Sequence, residues 1–211
     1  MTERAAVQVV PLERSRHAEA GRVLARAFDD DPLSVYLLPD ATKRARLLPW
    51  MYERVVRYAS MYDGQVLTTP ALDGVAAWLP PGLPYTPAVR LMRAGLGLAP
   101  FKFGLSVFGR FMAANHVERL RKQHMPQPHW YLWVIGVEPD RQRQGAGAAL
   151  LQPVLDRASA EGAPCYLETH KERNVAYYRR FGFELVTEGS VPNGGPRFWT
   201  MRRQPVAARS V

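Results

Sequence analysis

Residues 133–158 read WVIGVEPDRQRQGAGAALLQPVLDRA. An apolar run closes at Val137 and a charged loop follows. Gly145 and Gly147 stand one residue apart, and Leu150, Leu151, Val154, Leu155 and Ala158 then recur on one helical face. The pattern predicts a strand, a loop and a helix over 147–161. A helix leaves its first N–H groups unpaired and carries partial positive charge there, so it holds phosphate oxygens. A Cβ at 145 or 147 would keep an anion away from those amides, and glycine removes it. Arg141 and Arg143 add charge nearby. The stretch reads as a pyrophosphate cradle; the plainer alternative is an ordinary glycine-rich connection. A P-loop would need Gly-Lys-Ser/Thr, which is missing here. A dinucleotide fingerprint would need a third glycine where Leu150 stands, and the loop from Val137 to Gly145 is too long for its tight turn.

The chain has 211 residues and a formal net charge of +9, with lysine only at 43, 102, 122 and 171. Such a charge suits nucleic acid, an anionic membrane or a phosphorylated ligand, or reflects a bias toward arginine. No arginine cluster is interleaved with aromatics in the manner of a base-stacking surface, so no nucleic-acid partner is expected. Residues 91–113 are apolar but broken by Arg93, Pro100, Lys102 and Arg110, which argues against a membrane span. The start of the chain lacks the apolar core of a signal peptide. Cys165 is the single cysteine, so no internal disulfide forms, and a cytoplasmic location is expected. The five histidines show no metal-ligand spacing, and no metal is expected.

Strands are expected at 7–12, on either side of Asp73-Gly74, at HWYLWVIGV (129–137) and at APCYLETH (163–170). A terminal hairpin is expected around Asn193-Gly194-Gly195. Helices are expected before Asp31-Pro32, across TKRARLLPWMYERVVRYASMY (42–62) with a kink at Pro49, and over NVAYYRRFG (174–182). In the last of these Asn174 reads as the N-cap and Gly182 as the stop. Residues 84–128 read as interrupted helix carrying Met92, Phe101, Phe103, Phe108, Phe111 and Met112. They build a helical pair completing the core, an apolar acceptor pocket, or the surface of a homodimer. The result is an α/β chain, one domain over 1–204 with a tail at 205–211.

IGVEPDRQRQGAGAALL resembles the acetyl-CoA signature of the GNAT N-acyltransferase superfamily through Val137, Pro139, Gln142, Gly145 and Gly147. ETHKERNVAYYRRFGFELV resembles a second element of that superfamily through Asn174, Tyr178, Gly182 and Phe183. VLARAFDDDP, GVAAWLPPG and CYLETHKERNVAYYRRFGFELV are similar to its puromycin N-acetyltransferase-like branch. The resemblance implies a mixed central sheet of about seven strands, splayed at the coenzyme A site and flanked by helices. It implies direct acetyl transfer from acetyl-CoA to a primary amine of a small molecule, an antibiotic or other xenobiotic among them. Acetylation of protein amines and coenzyme A binding without turnover are the alternatives.

The resemblance also distributes roles. Main-chain N–H groups near Ile135, Gly136 and Val137 face the thioester oxygen. Gln142, Arg143, Gln144, Gly145, Ala146, Gly147 and Ala148 hold the diphosphate, and Asn174 reaches the pantetheine arm. Tyr178 matches the tyrosine that gives the leaving thiolate a proton; its alternative is aromatic packing beside Tyr177 and Phe181. Glu168 is the candidate base and His170 lies beside it, where the acceptor site opens. Asp29, Asp30 and Asp31 form an acidic rim for the acceptor ammonium, or are merely solvated. Trp78 walls the acceptor pocket or packs in the core.

Overall fold

The computed structural model describes residues 7–83 and 86–205, without the side chains of 105, 106 and 108. Residues 1–6, 84–85 and 206–211, and with them most of the expected tail, lie outside the described residues, as does the side chain of Phe108. In chain order the elements are β1 (Val10–Pro11), α1 (His17–Ala27), α2 (Pro32–Leu37), α3 (Ala41–Met61), β2 (Gln65–Thr68) and β3 (Gly74–Leu79). Then come α4 (Ala88–Arg93), α5 (Ala99–Phe103), α6 (Leu105–His124), β4 (Trp130–Val137) and α7 (Ala146–Ala160). The chain ends with β5 (Cys165–Thr169), α8 (Arg173–Arg179), β6 (Glu184–Ser190) and β7 (Arg197–Arg203). The first strand is thus shorter than 7–12, and α3 runs unbroken through Pro49.

The strands form one sheet in the order β1-β2-β3-β4-β5-β7-β6. β4 and β5 pair in parallel and the other neighbours antiparallel. Parallel pairing requires a crossover, and α7 supplies it. The sheet has apolar layers on both faces, as a central strand with no polar residue demands. Val75, Ala77 and Leu79 of β3 join the layer that α1 and α3 build; Ala76 and Trp78 join the layer of α7 and α8. That is the period-two alternation of a strand, with both faces dry.

The same alternation breaks in β4. Tyr131 faces α1 and α3, Leu132 faces α7, and then both Trp133 and Val134 face α1 and α3 before Ile135 returns to the α7 side. The register confirms the slip: Ala77 opposes Val134 while Trp78 opposes Leu132, leaving Trp133 unmatched. This is a β-bulge, which bends and over-twists the strand that carries it. Pairing of β4 with β5 covers only Trp130–Leu132 against Cys165–Leu167 and ends where the bulge begins. β4 continues to Val137 paired to β3 alone, and β5 continues to Thr169 paired to β7 alone. The sheet therefore opens as a wedge between Trp133 and Glu168.

Helix α1 lies directly on this bent strand. A Cβ built at Gly136 would come within 2.8 Å of Ala27 Cβ and 3.0 Å of Leu24 Cδ2. The role of Gly136 is therefore close helix-on-strand packing. We expect Gly136→Ala to lower unfolding stability by about 1–3 kcal/mol through overpacking, read as a lower denaturant midpoint at unchanged slope; an unchanged midpoint would show that α1 is free to move away.

Candidate active site

At the mouth of the wedge, β4 passes into the loop expected to hold an anion. Glu138 anchors it: its N–H donates to Asp73 O at 2.8 Å, and its carboxylate accepts from both Nε and Nη2 of Arg26 of α1. After a single turn at Pro139–Arg141 the loop braces itself with side chains. Gln142 Nε2 donates to Val137 O at 3.1 Å, and Gln144 Nε2 donates to Asp140 O at 3.2 Å. The amides of Gln142 and Gln144 are thus committed to the loop, and what their positions offer a ligand is main chain.

Arg143 has φ +63° and Gly145, the N-cap of α7, has φ +97°. Alternating left- and right-handed residues turn successive N–H groups toward one concavity, an arrangement suited to anions. Among the described residues, the N–H groups of Arg143, Gln144, Gly145, Ala146, Gly147 and Ala148 have no main-chain acceptor. No acidic residue stands in the first turn of α7 to compete for them. At Gly147 an added Cβ would lie 2.9 Å from Tyr177 Oη and 4.0 Å from Val137 Cγ2. The start of α7 therefore sits between the end of β4 and helix α8, over the open end of the wedge.

Behind this mouth lies a cavity of about 540 Å³. Its sheet side is lined by Trp133, Val134 and Ile135 of β4 and by Glu168 and Thr169 of β5, followed by His170. Asn174 and Tyr178 of α8 close one flank. The α1–α2 turn, α3 and the α4–α6 segment form the opposite wall. Of the three readings of residues 84–128, the structure supports two: Phe103 and Met125 are core, while Leu91, Met92, Phe111 and Met112 line the cavity.

Tyr178 is 6% exposed and meets Tyr177 and Phe183 edge-on, at centroid distances of 5.3 and 5.9 Å. It packs as an aromatic and lines the cavity as well; Tyr177 instead turns its hydroxyl toward Gly147. Burial raises the pKa of Tyr178, so its phenol keeps its proton. Asn174 departs from expectation. It lies inside the first turn of α8, Glu172 holds the N-cap position, and Asn174 Nδ2 donates to Thr169 Oγ1 at 2.9 Å. The Thr169 hydroxyl draws the amide back to the end of β5, and the helix begins earlier than a capping asparagine would allow.

Glu168 accepts a 2.7 Å hydrogen bond from Tyr131 Oη. The Arg121 guanidinium stacks on the Tyr131 ring, with Cζ 3.6 Å from its centroid. Burial pushes the Glu168 carboxyl upward, opposed by the Arg121 charge and the Tyr131 hydroxyl. Burial pushes His170 down to about 4, leaving it a neutral imidazole whose buried Nε2 has no hydrogen-bond partner among the described residues.

The three aspartates separate. Asp31 is the N-cap of α2, where its Oδ1 accepts from Leu33 N at 3.0 Å, and it lines the cavity. Asp29 and Asp30 lie outside, paired with Arg44 at 3.1 Å and Lys171 at 2.7 Å, so they do not form a free acidic rim. Trp78 also falls away from the acceptor side: it is wholly buried on the α7 face of β3, because the register turns it opposite to Ala77. Sequence reasoning passed over Tyr131 and Arg121. The signal for Arg121 is a cation in the row Val117–Arg121–Met125, spaced by four, whose three members are all buried. Among the described residues no cluster of three or more His, Cys, Asp or Glu is disposed to hold a metal, and no helix is long and apolar enough to cross a membrane.

Comparison with known proteins agrees with this geometry. Residues 108–183, from α6 through the wedge to the end of α8, match the family model described as the acetyltransferase (GNAT) family. An uncharacterised N-acetyltransferase of Schizosaccharomyces pombe is 28% identical over 179 residues, covering 82% of this chain and 72% of that protein. The crystal structure of a histone acetyltransferase HPA2 and related acetyltransferase from Corynebacterium glutamicum superposes with a TM-score of 0.65 at 20% identity, over 96% of this chain and 98% of that one. An agmatine N-acetyltransferase superposes with a TM-score of 0.58 at 14% identity, over 93% and 98%. The splayed seven-stranded sheet with the glycine-bearing loop across its opening is the fold of GNAT acetyltransferases, and residues 108–183 match that family's model.

Proposed function

We propose that the protein transfers an acetyl group directly from acetyl-CoA to the primary amine of a small molecule, in the cytoplasm. The observation that carries this reading is that the loop and the cavity both adjoin the stretch of β4 that β5 leaves unpaired. Unpaired amides and left-handed turns follow Val137 at the end of that stretch, and a cavity lined by Ile135 and the half-buried Glu168 lies against it. The mouth fits a diphosphate: a helix start free of acidic residues, two positions without a Cβ, and Arg141 and Arg143 exposed beside it. Bound there, acetyl-CoA supplies the activated acyl group. A cavity of about 540 Å³ lined mainly by apolar side chains suits a small acceptor, in accord with the blocks similar to the puromycin N-acetyltransferase-like branch. The name of the agmatine enzyme adds only that this fold admits a small amine.

In this reading main-chain N–H groups of Ile135–Val137, on the edge of β4 that β5 leaves unpaired, face the thioester oxygen as charge develops on it. Glu168 takes the proton of the attacking amine, directly or through a water. The amine nitrogen forms the new C–N bond as the C–S bond breaks, Tyr178 gives its proton to the departing sulfur, and the second proton that the nitrogen sheds in becoming an amide restores the phenol. Asn174, tied to Thr169, sets the start of α8 along the path proposed for the pantetheine arm. Holding donor and acceptor together in one cleft accounts for ~7–11 kcal/mol of the barrier.

Three outcomes are expected. Gly147→Asp places a side chain against Tyr177 Oη and an anion at the mouth. Wild-type protein gains ~2.7 kcal/mol of stability at an acetyl-CoA concentration of 100 Kd, and this variant should lose most of that thermal shift; an equal shift would remove the cradle from the proposal. Tyr178→Phe should lower kcat by about 10²–10⁴-fold while keeping the thermal shift, and full turnover would exclude Tyr178 as the proton donor. Glu168 acts as a base only when ionised, and burial raises its pKa. Activity should therefore fall as pH drops through a value above the ordinary glutamate range; a Glu168→Gln variant of unchanged rate and acid limb would assign the base elsewhere.

A further inference from the structure

The cavity wall carries information about the acceptor that the reading above leaves open. Aromatic rings meet along it: Phe28 with Tyr52 at 5.2 Å, and Phe103 with Phe111 at 5.6 Å. Met51, Met92 and Met112 also line it, and thioether side chains adapt their shape to an apolar guest. Its charged groups are few and mostly engaged. Asp31 caps α2, Glu118 accepts from Thr86 Oγ1 at 3.3 Å and pairs with Lys122 at 3.5 Å, and Arg121 stacks on Tyr131. Glu168, at the wedge, holds the remaining carboxylate, beside a neutral His170. With Glu118 paired to Lys122 and Asp31 engaged at the start of α2, Glu168 is the lining carboxylate placed to receive an ammonium. Along the wall of Phe28, Tyr52, Phe103, Phe111 and Trp133 a hydrophilic amine would set its other polar groups against aromatic surface, and each polar group buried without a partner is costly.

We propose that the acceptor is a monoamine with a bulky apolar body, bearing an aromatic ring or a long alkyl chain. Its ammonium sits at Glu168, and its body lies against the wall built by Phe28, Tyr52, Phe103, Phe111 and Trp133. The inference rests on the acetyl-transfer reading and adds the substrate class to it.

The test is free-thiol release by the full chain with saturating acetyl-CoA. The acceptors are n-alkylamines from ethyl to octyl, phenethylamine, 1,4-butanediamine and a lysine-containing peptide. Expected is a rise in kcat/KM of about fourfold per methylene until the cavity is filled, with phenethylamine above ethylamine by at least tenfold. Butanediamine and the peptide should fall well below butylamine. Phe111→Ala should flatten the dependence on chain length and leave the thermal shift from acetyl-CoA intact. Met112→Ser, at a half-exposed lining position, gives the same readout if Phe111→Ala does not fold. A flat or falling series, a preference for the diamine or the peptide, or acetyl-CoA binding with no acetylation of any apolar amine overturns the inference. Absence of both acetyl-CoA stabilisation and thiol release with every amine would instead bring down the parent reading.

Discussion

The structure depends on a strand that keeps one neighbour and gives up the other. After Leu132, β4 remains paired to β3 while β5 departs with β7. Main-chain groups on an open edge are costly to bury without partners, so the fold leaves such an edge only where water or a ligand completes it. The bulge at Trp133 is the local cause, because one extra residue bends β4 away from its parallel partner at that point. It has a second effect. By sending both Trp133 and Val134 toward α1 and α3, it returns Ile135 to the α7 side with an edge free of β5. The strand residues beyond the slip are those the proposed chemistry uses.

Helix α1 is clamped at both lips of that opening. Arg26 ties it to Glu138 at the end of β4, and Asp30, just beyond the helix, ties the same corner to Lys171 after β5. Each pair has one well-shielded partner and one exposed one, Glu138 at 15% and Lys171 at 16%. Pairs of this kind contribute about 0–1 kcal/mol, so their consequence is geometric. They fix the corner that carries Asp31 and Phe28 across a gap the sheet does not bridge. Of the aspartates expected to attract substrate, Asp30 is occupied in this way, Asp29 by Arg44 of α3, and Asp31 in starting α2.

What was legible in the sequence follows from how local its cause is. The loop and helix at 138–160 declared themselves because the positive φ at Gly145 is a local need that glycine meets, and Gly147 marked a close approach whose partner, Tyr177 of α8, only the fold supplies. The hairpin around Asn193 and Gly194 was legible for the same reason. The side chosen by Trp78 was not, since every residue of β3 is buried and two dry faces look alike in a sequence. Asn174 misled because its amide has a better partner in Thr169, five residues earlier, than in its own helix. Residues 84–128 were ambiguous because packing into a core and lining a cavity demand the same apolar side chains. The pairing of Tyr131 with Glu168 joins residues 37 apart and has no local signature.

The apolar wall and the half-buried carboxylate of Glu168 belong to one solution of a proton problem. A free alkylamine holds its proton near pKa 10 and an ordinary glutamate near 4.3, too wide a gap for efficient transfer in water. Desolvation moves both toward each other: it disfavours the ammonium, lowering its pKa, and disfavours the carboxylate, raising its own. Burial acts on Glu168 in that direction, while the Arg121 charge and the Tyr131 hydroxyl oppose the rise. On the proposed reading, a guest that fills the cavity completes the effect by expelling water from beside the carboxylate. Apolar bulk in the acceptor then acts on the chemical step as well as on binding, because it closes the pKa gap that Glu168 alone leaves open.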